Sequence, residues 1–208
     1  MSKEADDIIK LYERQAAGWD EDRAYRRPEG EVGWIRRFSA EAGPGAHILD
    51  LGCGSGEPIV PDLLALGQVV TGVDGAAALI ALCRERFPEQ NWITADMRGL
   101  DLGQRFGGIL VWHSLFHLVP EDQENMFPLF AKHLKPGAPL MFTSGTERGS
   151  TVGTWRGEAL YHASLDVADY EKLLSENGFD LVTRVESDAS CGGATIWIAR
   201  LSRDPAHP

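Results

Sequence analysis

The chain lacks three things, and each absence narrows what it does. It has no apolar run approaching the length of a membrane span, and Met1-Ser2-Lys3-Glu4-Ala5-Asp6-Asp7 has none of the apolar character of a secretory leader. No membrane association is therefore expected, and a cytoplasmic location is. It has only three cysteines, Cys53, Cys83 and Cys191, far apart and without a C-x-x-C pair. That composition excludes a disulfide framework and a cysteine zinc site, and fits reduced thiols. Positive charge is scarce: 20 Lys+Arg stand against 31 Asp+Glu, a formal net charge of −11. General nucleic-acid binding needs a positive face to neutralise phosphates, so no nucleic-acid partner is expected. Arg23, Arg26, Arg27, Arg36 and Arg37 do gather near the N-terminus, and the expectation for them is a solvated helical face. His113 and His117 stand four apart, but with no third ligand and no H-E-x-x-H pattern beside them no metal site is expected.

What is present organises itself around His47 to Pro58. The run His47-Ile48-Leu49-Asp50-Leu51 is short and apolar, follows Gly43-Pro44-Gly45, and reads as a buried parallel strand. Gly52, Gly54 and Gly56 then alternate in a tight turn whose missing Cβ atoms admit a ligand to the backbone. A helix is expected from Pro58, since proline suits the first helical turn. Strand, glycine turn and helix N-terminus together make a cradle for a small polar ligand.

With 208 residues, 43% hydrophobic and 25% charged, the chain suits one globular domain. Helices are expected over 3–17, ended by Gly18-Trp19-Asp20, and over 28–42. Strands are expected over 68–74, 91–96, 107–113 and 138–144, with helices over 59–66, 77–87 and 120–134 between them. Pro128 is expected to kink or interrupt the last of these. Residues 145–164 read as a long functional loop. Asp166 is expected to cap a helix that Gly178 closes, and 181–186 with 194–201 form an antiparallel hairpin. Alternating strands and helices demand right-handed crossovers and a doubly wound α/β sheet.

Ile48-Leu49-Asp50-Leu51-Gly52-Cys53-Gly54-Ser55-Gly56 resembles motif I of the class I S-adenosylmethionine (SAM) dependent methyltransferases. The resemblance implies a Rossmann-like, mostly parallel seven-stranded sheet with one antiparallel edge strand, spanning 45–201. Residues 1–44 become an N-terminal helical cap or lid of the same domain, and 202–208 a tail. It implies SAM as cofactor and S-adenosylhomocysteine (SAH) as product. Asp50, Gly52, Cys53, Gly54 and Gly56 would form the cofactor loop. Asp74, followed by Gly75, would hold the ribose hydroxyls, and Asp96 with Met97 the adenine. Trp112, Tyr12 and Trp19 complete the expected cofactor contacts, with Tyr25 a further aromatic in the cap. Packing onto the core is an equal alternative for the cap aromatics.

The expected acceptor is a small molecule bound by a monomer or homodimer. The absence of an Asn-Pro-Pro-Tyr or Asp-Pro-Pro-Tyr sequence after the fourth strand argues against base methylation in nucleic acids. In-line displacement at the sulfonium needs positioning and exclusion of water more than covalent help. His113 is the candidate general base, its ordinary pKa lying near neutrality, with a structural histidine as the alternative. His117, Tyr161 and His162 are candidates to reach the same pocket. A non-catalytic SAM sensor or partner subunit is the alternative function, and an NAD(P) oxidoreductase a more distant one, because Glu57 stands where its third glycine belongs.

Overall fold

Alternation along the strands decides the architecture. Ile48, Leu110, Met141, Ile196 and Ile198 pack on one face of a sheet, while Leu49, Ile109, Leu140, Phe142 and Trp197 pack on the other. A sheet apolar on both faces needs helices on both. The structure, a computed structural model, describes residues 3–25 and 27–203. Tyr25 as a candidate contact, Arg26 and the 204–208 part of the expected tail lie outside what is described.

The cap comprises α1 (Lys3–Asp6), α2 (Ile8–Arg14), α3 (Ala16–Tyr25) and α4 (Glu31–Ala42). There follow β1 (His47–Leu51), α5 (Ile59–Ala65), β2 (Val69–Asp74), α6 (Ala77–Arg86), β3 (Asn91–Thr94) and β4 (Gly108–Val111). The chain continues through α7 (Pro120–His133), β5 (Pro139–Ser144), β6 (Gly149–Trp155), β7 (Glu158–Ser164), α8 (Val167–Glu176), β8 (Phe179–Asp188) and β9 (Ala194–Leu201). The seven-stranded sheet has the order β3-β2-β1-β4-β5-β9-β8. Strands β1 to β5 run parallel, and β9 is antiparallel to both β5 and β8. The chain steps outward from β1 to β3 and then returns to the other side of β1, so β1 and β4 diverge at a switch point, where open α/β sheets bind ligands. Helices α4, α5 and α6 cover one face; α7 and α8 cover the other.

Four expectations need correction. The first helix does not end at Gly18; the cap breaks earlier, between Arg14 and Ala16, and Gly18 lies inside α3. There it meets the Arg156 guanidinium, 2.6 Å from where a Cβ would stand, so close approach rather than termination explains the glycine. Helix α7 runs through Pro128 as one element of 14 residues, so the proline does not interrupt it. Met126, Phe127 and Phe130 are buried against the sheet while Pro128 is exposed, so solvent can meet the carbonyl the proline leaves free. The antiparallel strand is not at the edge: β9 is inserted between β5 and β8, placing the fully buried Trp197 against Phe142 with parallel rings at 5.5 Å. And residues 149–164 are not a loop but a two-stranded hairpin, β6–β7, whose first strand is largely exposed.

Asp166 caps α8 as expected, its side chain accepting from Asp169 N at 3.0 Å. Burial of Ile35 and Phe38 seats α4 on the sheet; each such side chain contributes about 1.5–3 kcal/mol. Among the described residues no helix is long and apolar enough to cross a membrane.

Candidate functional site

The site is built at the C-terminal ends of β1 to β4. Gly52 leaves β1 with φ +74°, a conformation natural to glycine. Its N–H and that of Cys53 donate to Val73 O, at 2.8 and 3.1 Å, tying the turn to β2. A Cβ on Gly52 would stand 2.3 Å from that of Ser114, whose hydroxyl donates to Leu51 O. Gly54, at φ +57°, sits under the Trp19 indole and donates its N–H to Asp74 Oδ2 at 2.9 Å. Ala76 N donates to the other oxygen of Asp74 at 2.8 Å. The Asp74 carboxylate is thus held by two backbone donors, and its pKa is raised, first by burial. Asp50 behind it is buried, and burial followed by the Asp74 charge pushes it up to about 7. No Lys or Arg pairs with either acid among the described residues.

Over this turn lies a cavity of about 90 Å³. Its floor is Gly52, Gly54, Asp74, Gly75, Asp96 and Met97, and its roof is Ile8, Ile9, Tyr12 and Trp19 from α2 and α3. Asp96 comes to it already engaged, with both oxygens accepting from Arg98, which also reaches Asp122. A second cavity, of about 720 Å³, adjoins the first. Hairpin β6–β7 contributes Thr151, Trp155, Leu160 and His162 to it; the cap contributes Asp22 and Arg23. Four side chains line both cavities: Tyr12, Trp19, His113 and His117.

His113 follows β4 at φ +53°, unusual for a residue with a Cβ, and its N–H donates to Thr143 Oγ1. Burial, and then the Arg23 charge, lowers its imidazole to about 4. His117 lies on a 3-10 turn (Leu115–His117). Its Nδ1 is 2.9 Å from Tyr161 O and its Nε2 2.8 Å from the Tyr12 hydroxyl. Burial lowers it to about 3, the Tyr161 carbonyl opposing. The aromatic edge continues through Tyr12, Trp19 and Trp155, with ring centroids 5.2–6.0 Å apart.

The sequence-predicted residues divide. Gly52, Gly54, Asp74, Gly75, Asp96, Met97, Tyr12, Trp19 and His113 converge on the cavities. Asp50, Cys53 and Gly56 sit behind the turn instead: Cys53 beside Gly72, and Gly56 against Phe87 and Val60. Trp112 is a correction. Strand alternation sends Ile109 and Val111 toward α7 and Leu110 and Trp112 toward α4. The Trp112 indole accordingly donates to Glu31 Oε2 at 2.8 Å and lines neither cavity. His162 reaches the larger cavity, but the Tyr161 ring packs with Ala5 and Ala163, and only its carbonyl serves the site.

The arginine cluster also differs from a solvated face. Arg23 and Arg27 turn inward onto Glu31, which is 0% exposed, and Arg27 also pairs with Asp62; among the described residues of the cluster, Arg36 and Arg37 are the exposed ones. Ile8 and Ile9 carried no signal in the sequence, because an aliphatic residue in a cap helix reads the same whether it meets core or ligand; Ser114, in the turn after β4, carried none because a lone serine has no spacing to mark it.

Residues 48–137 match the family model described as "Methyltransferase domain". The chain is 28% identical over 158 residues to the dTDP-3-amino-3,6-dideoxy-alpha-D-glucopyranose N,N-dimethyltransferase of Streptomyces fradiae, covering 70% of this chain and 60% of that protein. It is 36% identical over 106 residues to the ubiquinone biosynthesis O-methyltransferase of Coxiella burnetii, covering 48% and 44%. The chain thus spans about half the length of these curated relatives. Among solved structures, the DhpI–SAH complex aligns at a TM-score of 0.78 and 17% identity over 98% of this chain and 100% of that one. The SAM-bound amino pentose methyltransferase of calicheamicin biosynthesis from Micromonospora echinaspora aligns at 0.70 and 18%, covering 90% and 97%. At such identities the likeness is one of fold.

Proposed function

We propose that this chain is a class I SAM-dependent methyltransferase, a reading that its 48–137 segment and its fold support, and that it moves the cofactor methyl to a small-molecule acceptor. The observation that carries this reading is the pair of adjoining cavities with four shared walls. One lies over the glycine turn; the other has a volume in the range of small-molecule sites. A methyl passing from one to the other crosses between Tyr12, Trp19, His113 and His117.

The residues present suit the cofactor. Asp74 stands at the end of β2, half-buried and without a cationic partner among the described residues, placed to accept from ribose hydroxyls beside the open backbone of Gly52 and Gly54. Asp50 and Asp74 together favour a ligand bearing positive charge. When bound, SAM supplies an electrophilic methyl on a sulfonium. Asp96 and Met97 meet the adenine in this reading. Tyr12 and Trp19 cover the reacting centre and exclude water, so the cap of residues 1–44 acts as a lid. His113 faces the acceptor, which it orients or relieves of a proton. A non-catalytic sensor has no use for the larger cavity, which favours an enzyme. A cytoplasmic monomer or homodimer, acting on neither membrane nor nucleic acid, completes the reading, supported by the net charge and the thiols.

Calorimetric titration of the purified protein with SAM and SAH tests it, followed by an assay of SAH release over hydroxyl- and amine-bearing acceptors. Micromolar binding of both is expected. Failure of either to bind would sink the proposal.

A further inference from the structure

We infer that Tyr12 and His117 form a proton relay for an acceptor hydroxyl, so that the methyl is received by oxygen. This rests on the methyltransferase reading above and adds the acceptor atom to it.

Of the four side chains common to both cavities, two are bonded to each other: Tyr12 Oη and His117 Nε2 at 2.8 Å. The other ring nitrogen of His117 fixes the direction of that bond. Nδ1 lies 2.9 Å from the carbonyl oxygen of Tyr161, which can only accept, so Nδ1 carries the proton. Nε2 of the neutral ring is then an acceptor, and Tyr12 donates to it. Having committed its only proton, the Tyr12 oxygen offers the cavities lone pairs alone. It therefore orients an acceptor group that itself bears a hydrogen. The order is phenol, imidazole, carbonyl: a side chain touching the substrate space, a base, and the group that holds the tautomer of that base.

The need for a proton acceptor selects the atom. A neutral amine attacks through a free lone pair and needs none, whereas a hydroxyl must shed its proton, and the Tyr12–His117 pair is placed to take it. An alcohol or phenol oxygen that is gaining a methyl becomes an oxonium, a strong acid. A methylated amine becomes an alkylammonium, a weak acid that needs no relay. As the acceptor oxygen bonds the methyl carbon and the carbon–sulfur pair returns to sulfur, Tyr12 Oη takes the acceptor proton and passes its own to His117 Nε2. Positive charge leaves the sulfonium and arrives on the imidazolium, so the pocket keeps its net charge throughout. Tyr12 is not a free tyrosinate at any stage: burial, then the Asp74 charge, keeps its phenol well above the usual range. His117 is faced by Tyr12 from α2, by the stacked His162 ring at 5.0 Å from β7, and by Phe116 and His113 from its own segment. None of them is a carboxylate that would hold the imidazolium by itself.

The first test needs no acceptor. Protein labelled with 15N in histidine is examined by NMR at pH 7 with SAH bound and with sinefungin bound, whose ammonium keeps a positive charge near the position of the sulfonium. His117 is expected as the Nδ1–H tautomer in both complexes. Its Nε2 resonance should show the shift of a hydrogen-bonded, unprotonated nitrogen in both complexes, and Tyr12→Phe should abolish that shift. The opposite tautomer, or an Nε2 shift indifferent to Tyr12→Phe, overturns the relay. Failure of both ligands to bind counts instead against the methyltransferase reading.

The second test compares turnover of matched acceptors, a phenol against an aniline and a sugar alcohol against an amino sugar. Tyr12→Phe and His117→Gln should lower kcat at least tenfold with the hydroxyl compounds while leaving the KM for SAM within threefold. Turnover of the amines alone, or an unchanged kcat on hydroxyl compounds in a folded Tyr12→Phe protein, refutes the assignment to oxygen.

Discussion

Asp74, Asp50 and the turn glycines show how single residues set the site. The Asp74→Asn protein is expected to keep its fold and lose about 1–3 kcal/mol of cofactor affinity, since a carboxylate accepts from two hydroxyls where an amide accepts poorly; calorimetry with SAH measures it. Gly54→Ala should do similar damage for a different reason: φ +57° strains any Cβ, and Trp19 Nε1 stands 3.1 Å from it. Asp50 makes a pH-dependent prediction. Its folded pKa is raised to about 7, above the ordinary 3.8 of an unfolded chain, so the protonated acid is the one the fold favours. Stability is therefore complete below the unfolded value and is lost as pH rises toward 7. Chemical denaturation of the ligand-free protein should show Asp50→Asn neutral at pH 4 and stabilising by roughly 2–4 kcal/mol at pH 8. Equal effects at both pH values would contradict the assignment. The motif was readable in sequence because three glycines and an acid at fixed spacing follow from backbone geometry. That Asp50 stands behind the turn while Asp74 stands on the cavity wall was not.

Elements carry the next level. The cap and the hairpin are fastened to each other and to the sheet by polar contacts from several sides. Trp155 Nε1 and Arg156 reach Asp22, Arg14 and Gln15 reach Glu158, and Arg86 takes both oxygens of Asp20. Most of these pairs are at least partly exposed and individually weak, on the order of 0–1 kcal/mol. Trp155 is the exception in kind, since its ring also meets Tyr12 and Trp19. Trp155→Ala is expected to leave the thermal midpoint within a few degrees yet speed cofactor dissociation several-fold, as read by stopped-flow fluorescence. An unchanged dissociation rate would mean the cap closes without the hairpin. Beneath the cap, Glu31 is fully buried between Arg23, Arg27 and the Trp112 indole. Glu31→Gln takes from Arg23 its carboxylate partner and leaves Arg27 with Asp62 alone, and urea unfolding should show a loss of about 3–5 kcal/mol. Sequence spacing gave no warning of this pair: 81 positions separate Trp112 from Glu31, and only the packing of α4 on the sheet joins them.

At the scale of the whole molecule, the doubly wound sheet places the ends of β1 to β4 along one edge, and the two structures added to it, the cap and the hairpin, wall off a chamber there. That the sheet is doubly wound and mostly parallel followed from the alternation of strands with helices, since parallel strands joined by right-handed crossovers leave few arrangements. Period-two burial was equally plain at Ile48 and Leu49, or Met141 and Phe142, because the side-chain repeat is a local property of extended backbone. So were the cap of α8 at Asp166 and the glycine turn after β1. These are determined within about ten residues, where steric and hydrogen-bonding preferences act directly. The insertion of β9 between β5 and β8, the folding of 149–164 into a hairpin, the inward turn of Arg23 and the bond from Tyr12 to His117 were settled otherwise. Each joins segments far apart in the chain, and each exists only because burying apolar surface elsewhere brings those segments together. Sequence alone determined the sheet, its cradle and the acids along its edge; the tertiary structure decided which side chains look into the chamber, because contact across 105 residues is a property of packing and not of spacing.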